Sequence, residues 1–159
     1  MKIRIGQGVD FHRLEKGLNL WLGGVKIPSP KGCVAHSDGD VLIHAICDAL
    51  FGAAGLRDIG FYFPDSSTEF KNIDSKILLK RTCTLVREQG YGIINIDTTV
   101  CLENPKISSY IPQMKAVIAE IIGKEMSDVS IKATTTEKLG FTGREEGIIA
   151  SAVVLLSGL

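Results

Sequence analysis

The sequence predicts an α+β fold, a single mixed β-sheet covered on one face by helices. Segments that read as strands, with Ile and Val among small or polar residues, lie at both ends of the chain, and apolar residues at helical spacing fill its middle. Gly, Pro and Asp punctuate the boundaries between them. The length of 159 residues points to one domain, 1–159, that buries roughly two-thirds of its unfolded surface.

Residues 2–12 alternate loosely, with Ile3, Ile5 and Val9 between small or polar neighbours, and read as a strand. "LNLWLGGVKI" (18–27) reads as two short strands joined at Gly23-Gly24. Val41, Leu42, Ala45, Ile46, Ala49, Leu50 and Ala53 then recur at three- and four-residue spacing. That helix is capped by Ser37 or Asp38 and closed by Gly55. A turn-rich loop follows, and a second helix covers about 73–89. "YGIINIDTTVCLE" reads as a strand. Pro112 suits the first turn of a third helix ending at Gly123, and "VSIKATTTE" and "GIIASAVVLL" supply the last strands. The order is β-β-β-α-α-β-α-β-β.

Composition narrows the function. Lys plus Arg and Asp plus Glu both number 18, for a formal charge of zero, and aromatic residues make up 6%. Nothing here points to nucleic acid. No apolar run reaches the ~18 residues that would span a bilayer, and "MKIRIGQG" is unlike a signal peptide. Cys33, Cys47, Cys83 and Cys101 form no CxxC or CxxH pair, so they read as buried thiols in a reducing cytoplasm. The 45% hydrophobic content is high for a small monomer and hints at apolar surface buried between subunits.

All three histidines fall in "GVDFH" and "AHSDGDVLIHAICDAL", beside aspartates. Asp10 and His12 are two apart on a strand, so both leave the same face, roughly 7 Å apart at Cα. Two such ligands need a third, from His36 or His44. Eight residues of helix would separate those two by about 12 Å, so both cannot serve easily. With His36 in the preceding loop, His44 on the helix completes Asp10, His12 and His44. Three ligands leave the fourth tetrahedral position open, as a catalytic zinc requires. The acidic run Ser37-Asp38-Gly39-Asp40 between the histidines adds to the case for a metal. A hydrogen-bonded core histidine remains the plainer reading of His44 taken alone.

Two further segments carry polar groups. "RDIGFYFPDSS" (57–67) offers Asp58, Gly60, Asp65, Ser66 and Ser67, and is equally readable as a binding loop or a solvated turn. In "KATTTEKLGFTGREEG" (132–147), Thr hydroxyls and free N–H groups can receive phosphate oxygens, and Glu137 can hold a hard cation such as Mg²⁺. Three threonines in a row also suit a plain strand. "GQG" at 6–8 is not a dinucleotide fingerprint, and no Walker A sequence is present.

"GVDFH", "AHSDGDVLIHAICDALFGAAGLRDIGFYFPD", "ENPKI" and "KATTTEKLGFTGREEG", in order over nearly the whole chain, resemble the 2-C-methyl-D-erythritol 2,4-cyclodiphosphate synthases of non-mevalonate isoprenoid biosynthesis. The resemblance implies a homotrimer with active sites shared between subunits. It implies cyclisation of 4-diphosphocytidyl-2-C-methyl-D-erythritol 2-phosphate with release of CMP. Zinc would sit on Asp10, His12 and His44, the first two of which would also border the substrate. A second ion, Mg²⁺ or Mn²⁺, would be held by Glu137. His36 and Thr135 match positions assigned to transition-state stabilisation. Substrate contacts would come from His36 and Ser37, from Asp58, Ile59 and Gly60, and from Phe63, Pro64, Asp65, Ser66 and Ser67. A cytidine pocket would use Leu102, Glu103, Asn104, Pro105, Lys106, Ile107 and Ser108 with Thr134, Thr135 and Thr136. Phe141 and Arg144 would lie near the threefold axis and the substrate end. Departures from the family pattern are Val9 and Phe11 around Asp10, Glu103 and Ile107 in place of Gln and Met, and Glu145, which could partly neutralise Arg144.

Other classes remain in view. A zinc-dependent phosphate-ester hydrolase would activate water at the open metal position. A non-catalytic nucleotide-binding module would use the threonines without turnover, and a structural trimer would use the ion for stability alone.

Overall fold

The computed structural model describes residues 2–159. Seven strands and five helices follow in order: β1 (Ile3–Lys16), β2 (Leu20–Leu22), β3 (Val25–Ile27), β4 (Lys31–Val34), α1 (Val41–Ala54), α2 (Ile59–Tyr62), α3 (Ser75–Glu88), β5 (Tyr91–Cys101), α4 (Ile111–Ile122), β6 (Val129–Thr134), α5 (Gly140–Gly143) and β7 (Gly147–Gly158). Five strands form a mixed sheet in the order β4-β1-β7-β5-β6, with only β5 and β6 parallel. The α+β reading holds, but the sheet is not single, because β2 and β3 pair apart from it as a two-stranded hairpin.

Period-two burial shows which face is covered. Along β7, Ile148, Ala150, Ala152, Val154 and Leu156 are buried under the helices, and Val153 between them is exposed. Helix α1 lies against β1 and β7, and α3 packs on α1. Gly6 and Gly8 make this approach possible. A β-carbon on Gly6 would collide with the Ala49 carbonyl, and one on Gly8 with the Ala45 carbonyl. The bare helix-facing edge of "GQG" is therefore a packing device. On the opposite face, Ile3, Ile5, Val9 and Phe11 of β1 stand exposed, Ile5 at 71% and Phe11 at 53%.

Several boundaries differ from the sequence reading. β1 runs on to Lys16 because β4 continues the pairing beyond β7, and β4 itself is too short to carry a pattern. α1 starts at Val41, capped by Asp40 and not by Ser37 or Asp38, since the Asp40 carboxylate accepts the Ile43 N–H. α2 is a helical turn inside the expected loop, capped by Asp58. β6 ends at Thr134, short of Glu137, because Glu137 and Lys138 turn the chain with φ of 54° and 61°. Pro112 in the first turn of α4 and Gly123 at its end agree with the reading. Cys33, Cys47 and Cys83 are buried free thiols, and Cys101 is half-buried. Among the described residues, no helix is long and apolar enough to cross a membrane.

Candidate active site

Three elements converge on one point. β1 presents Asp10 and His12 from its helix-facing side, and α1, held close by Gly6 and Gly8, presents His44 one turn after its cap. Asp10 Oδ2 lies 3.0 Å from His12 Nε2 and 3.1 Å from His44 Nδ1, and the two nitrogens are 3.2 Å apart. With ligand bonds of about 2.0 Å, the edge of a tetrahedron is about 3.3 Å. The three donor atoms already form one such face. Among the described residues, this is the grouping of His, Cys, Asp and Glu that could hold a metal ion.

The electrostatics fit a cation. Burial opposes ionisation of Asp10, yet its hydrogen bonds to His12 and His44 and their charges prevail, holding its carboxyl well below the usual range. Burial likewise opposes charge on His44, but hydrogen bonding to Asp10 and the charges of Asp10, Asp40 and Asp38 raise its pKa. Without a metal, this trio attracts a proton; a divalent ion satisfies the same field.

The trio opens into a cavity of about 320 Å³. His36, Ser37, Ile59, Gly60, Phe63 and Asp65 line it together with Asp10, His12 and His44. His36 sits before α1 and donates from Nε2 to the Ser67 carbonyl at 3.1 Å, which ties the 58–67 segment over the cavity. Asp58 caps α2, and Asp48 of α1 accepts the Ile59 N–H at 2.7 Å. Pro64 and Ser66 lie in the same segment but outside the lining. The apolar wall of Val34, Ala35, Phe70, Ile73 and Leu78 was not anticipated. Phe70 follows the loop without periodicity, Ile73 falls at the expected start of the second helix, and Leu78 reads only as a core residue of that helix.

The remaining expected residues form a second group elsewhere. Register across β1, β7, β5 and β6 places Asp10 level with Ala150, Val100 and Ala133. Three inter-strand spacings separate Asp10 from Ala133 by about 14 Å. Thr134, Thr135, Thr136 and Glu137 follow Ala133, and Leu102 is tied to them through its N–H to the Thr134 carbonyl. Glu103 turns its carboxylate inward: Oε1 accepts the N–H groups of Thr136 and Lys138, both at 3.1 Å, so its side chain braces the Thr135–Glu137 turn. These bonds pull its pKa down. Lys106 folds back to donate to the Glu103 carbonyl at 3.2 Å. Within one chain, this group does not reach the 320 Å³ cavity.

Phe141 packs near Phe11 with ring centroids 6.4 Å apart, beside His12. Arg144 pairs with Glu146 at 3.0 Å rather than with Glu145. Glu145 instead accepts from the Asn104 side chain at 2.7 Å, so the expected neutralisation comes from the next residue along. Arg144 and Glu146 are fork and carboxylate two apart at the end of α5, whereas Glu145, with φ of 58°, is turned away.

Comparison with known proteins gives the chain a family and a fold. The YgbB family matches residues 3–157. The 2-C-methyl-D-erythritol 2,4-cyclodiphosphate synthase of Bacteroides fragilis is 60% identical over 157 residues, covering 99% of both chains. A bifunctional IspDF from Campylobacter jejuni superposes with a TM-score of 0.96 at 44% identity over 99% of this chain, which spans 43% of that longer protein. IspF of Plasmodium falciparum, solved as a CDP complex, superposes with a TM-score of 0.85 at 36% identity, covering 98% of this chain and 96% of its own.

Proposed function

This chain belongs to the YgbB family, and on that premise we propose how its own residues carry the family's chemistry. It is a cyclodiphosphate synthase of isoprenoid precursor biosynthesis, a lyase; the hydrolase and binding-module readings are not favoured beside a synthase relative at 60% identity. The substrate is 4-diphosphocytidyl-2-C-methyl-D-erythritol 2-phosphate. An oxygen of the 2-phosphate attacks the β-phosphorus, the bond from that phosphorus to the bridging oxygen breaks, and CMP leaves with the electron pair. The nucleophile is already an anion, so no general base is needed.

Positioning is then the main task, and a held near-attack geometry is worth about 7–11 kcal/mol. Asp10, His12 and His44 would hold zinc, and Glu137 a Mg²⁺ or Mn²⁺ ion, both of which neutralise phosphate charge when bound. His36 and Ser37, both in the cavity lining, would face the phosphates. Ile59 and Gly60 present backbone to the sugar, with Asp58 holding the turn and Phe63 to Ser67 closing over it. Thr135, whose hydroxyl accepts the Glu137 N–H at 3.3 Å, would steady the leaving phosphate. The 102–108 segment with Thr134 and Thr136 would take the cytidine; that a relative is solved as a CDP complex supports cytidine binding, not its place.

The separation of about 14 Å between the two groups supports an active site completed by a second subunit, as in the homotrimer that the family resemblance implies. The exposed row Ile3, Ile5, Val9 and Phe11 supplies an apolar face for that contact. Each chain acts as one domain, and four free thiols suit the cytoplasm.

The observation that carries this reading is the Asp10–His12–His44 face opening onto the cavity. Phosphorus-31 NMR of the protein with substrate, Mg²⁺ and zinc tests it. Two mutually coupled resonances appearing with free CMP are expected. CMP with an uncoupled bisphosphate would make water the nucleophile and the protein a hydrolase; an unchanged spectrum would overturn the catalytic reading.

A further inference from the structure

Behind the metal trio lies a buried chain of polar groups that no part of the reaction uses. Ser75, the first residue of α3, is fully buried, and its hydroxyl lies 2.5 Å from Asp38 Oδ1 and 2.9 Å from His44 Nε2. Neither Ser75 nor Asp38 lines the cavity.

The donor directions follow from counting hydrogens. The Asp38 carboxylate already accepts backbone N–H groups at both oxygens, from Asp40 at 3.1 Å and from Ser75 at 2.9 Å. It offers lone pairs only, so Ser75 directs its single hydrogen to Asp38. The contact between Ser75 and His44 then runs from Nε2–H into a hydroxyl lone pair. Ser37 Oγ, 3.2 Å from Nε2 and itself accepting the Gly39 N–H, is a longer second contact. With the proton on Nε2, the His44 Nδ1 lone pair points to Asp10 and His12.

We propose that Ser75 and Asp38 are positioning residues for the metal centre: the Asp38–Ser75–His44 relay holds His44 in its Nε2-protonated form, with Nδ1 aimed at the cation. The proposal rests on the metal reading given above. It accounts for the acidic run between the histidines. Asp38 and Asp40 supply no ligand atom to the trio, and both are committed to holding its supports.

The relay is anchored at both ends. Asn72 donates its N–H to the His36 carbonyl at 2.8 Å, and Asp38 its N–H to the Ile73 carbonyl at 3.1 Å. The start of α3 is thus laced to the 36–38 segment, and the Ser75 hydroxyl has a fixed place from which to hold the ring. Loss of a hydrogen-bond partner behind a ligating histidine typically lowers metal affinity about 10–100-fold.

Zinc affinity of the full-length protein and of Ser75→Ala, measured by competition with a chromophoric chelator, tests the proposal. The expected result is about 10–100-fold weaker binding in the variant, with the separate loss of stability from removing a buried hydroxyl read from thermal unfolding of the chelator-treated forms. Equal affinities would overturn the relay and leave the metal reading standing. If the unsubstituted protein takes up no zinc, the metal reading falls and the relay with it. A second measurement needs no variant: nitrogen-15 NMR of the histidine-labelled, zinc-loaded protein should show His44 protonated at Nε2 and metal-shifted at Nδ1. The reverse pattern would refute the proposal whatever the variant does.

Discussion

Asp40→Ala is the substitution whose cost the structure specifies most fully. The Asp40 carboxylate is completely buried and accepts three backbone N–H groups: Ile43 at 3.0 Å, Gly23 at 3.0 Å and Gly24 at 2.7 Å. It caps α1 and at the same time fastens the turn of the β2–β3 hairpin to that cap. Alanine leaves three donors without an acceptor, each costing about 1–3 kcal/mol where water cannot reach. Against this, burial of the charge, which pushes the Asp40 pKa up, is relieved. The balance is a loss of about 3–5 kcal/mol, a large part of a typical 5–15 kcal/mol stability. For a chain of this size the midpoint should fall by about 6–20 °C. Equilibrium urea unfolding and thermal scans of both proteins measure this, and Asp40→Asn, which keeps one acceptor oxygen, should fall between them. A loss below about 1 kcal/mol for the alanine variant would refute the reasoning, because the three donors would then have found other partners.

The remaining predictions concern packing and pH. Gly8→Ala should destabilise by about 1–3 kcal/mol or more, since the new methyl meets the Ala45 carbonyl. Gly52→Ala, in the same helix contact but with nothing nearer than 3.9 Å, should gain about 0.5–1 kcal/mol; equal effects at the two sites in thermal scans would sink the packing argument. In metal-free protein, the raised His44 pKa gives stability that is full below the ordinary 6.5 and lost as pH rises through the raised value. The lowered Asp10 pKa gives stability present above the ordinary 3.8 and lost as pH falls through the lowered value. Unfolding midpoints of chelator-treated protein should therefore peak between about pH 4 and 6.5 and decline toward pH 9; a midpoint that climbs steadily to pH 9 would contradict the pairing.

Much of the metal face was legible because its spacing is short-range. Asp10 and His12 share a strand face by period two, and His44 lies on a helix whose apolar spacing is unmistakable. The α+β class followed from the same local periodicities. What was hidden depends on long-range pairing. β4 has four residues and owes its existence to the far end of β1. The cap on α1 was misplaced because Ser37, Asp38 and Asp40 all suit that role chemically, and only the hairpin at Gly23 and Gly24 selects Asp40. Ser75 gave no signal at all, since a serine after Asp74 looks like an ordinary helix start.

The division of the site into two groups has a physical origin in the sheet itself. Parallel pairing of β5 with β6 brings both C-terminal ends to one edge, so the 102–108 and 134–137 segments meet there and brace each other through Glu103. β1 reaches the trio from the other side of β7, and its antiparallel pairing fixes Asp10 against Ala150. A rigid sheet cannot close a gap of about 14 Å by bending, because each strand is held at its spacing by its neighbours. Under the proposed function, joining a cytidine at one group to a cation at the other would call for a second copy of the chain. The exposed apolar row on the uncovered face of β1 would give the proposed contact a surface to bury.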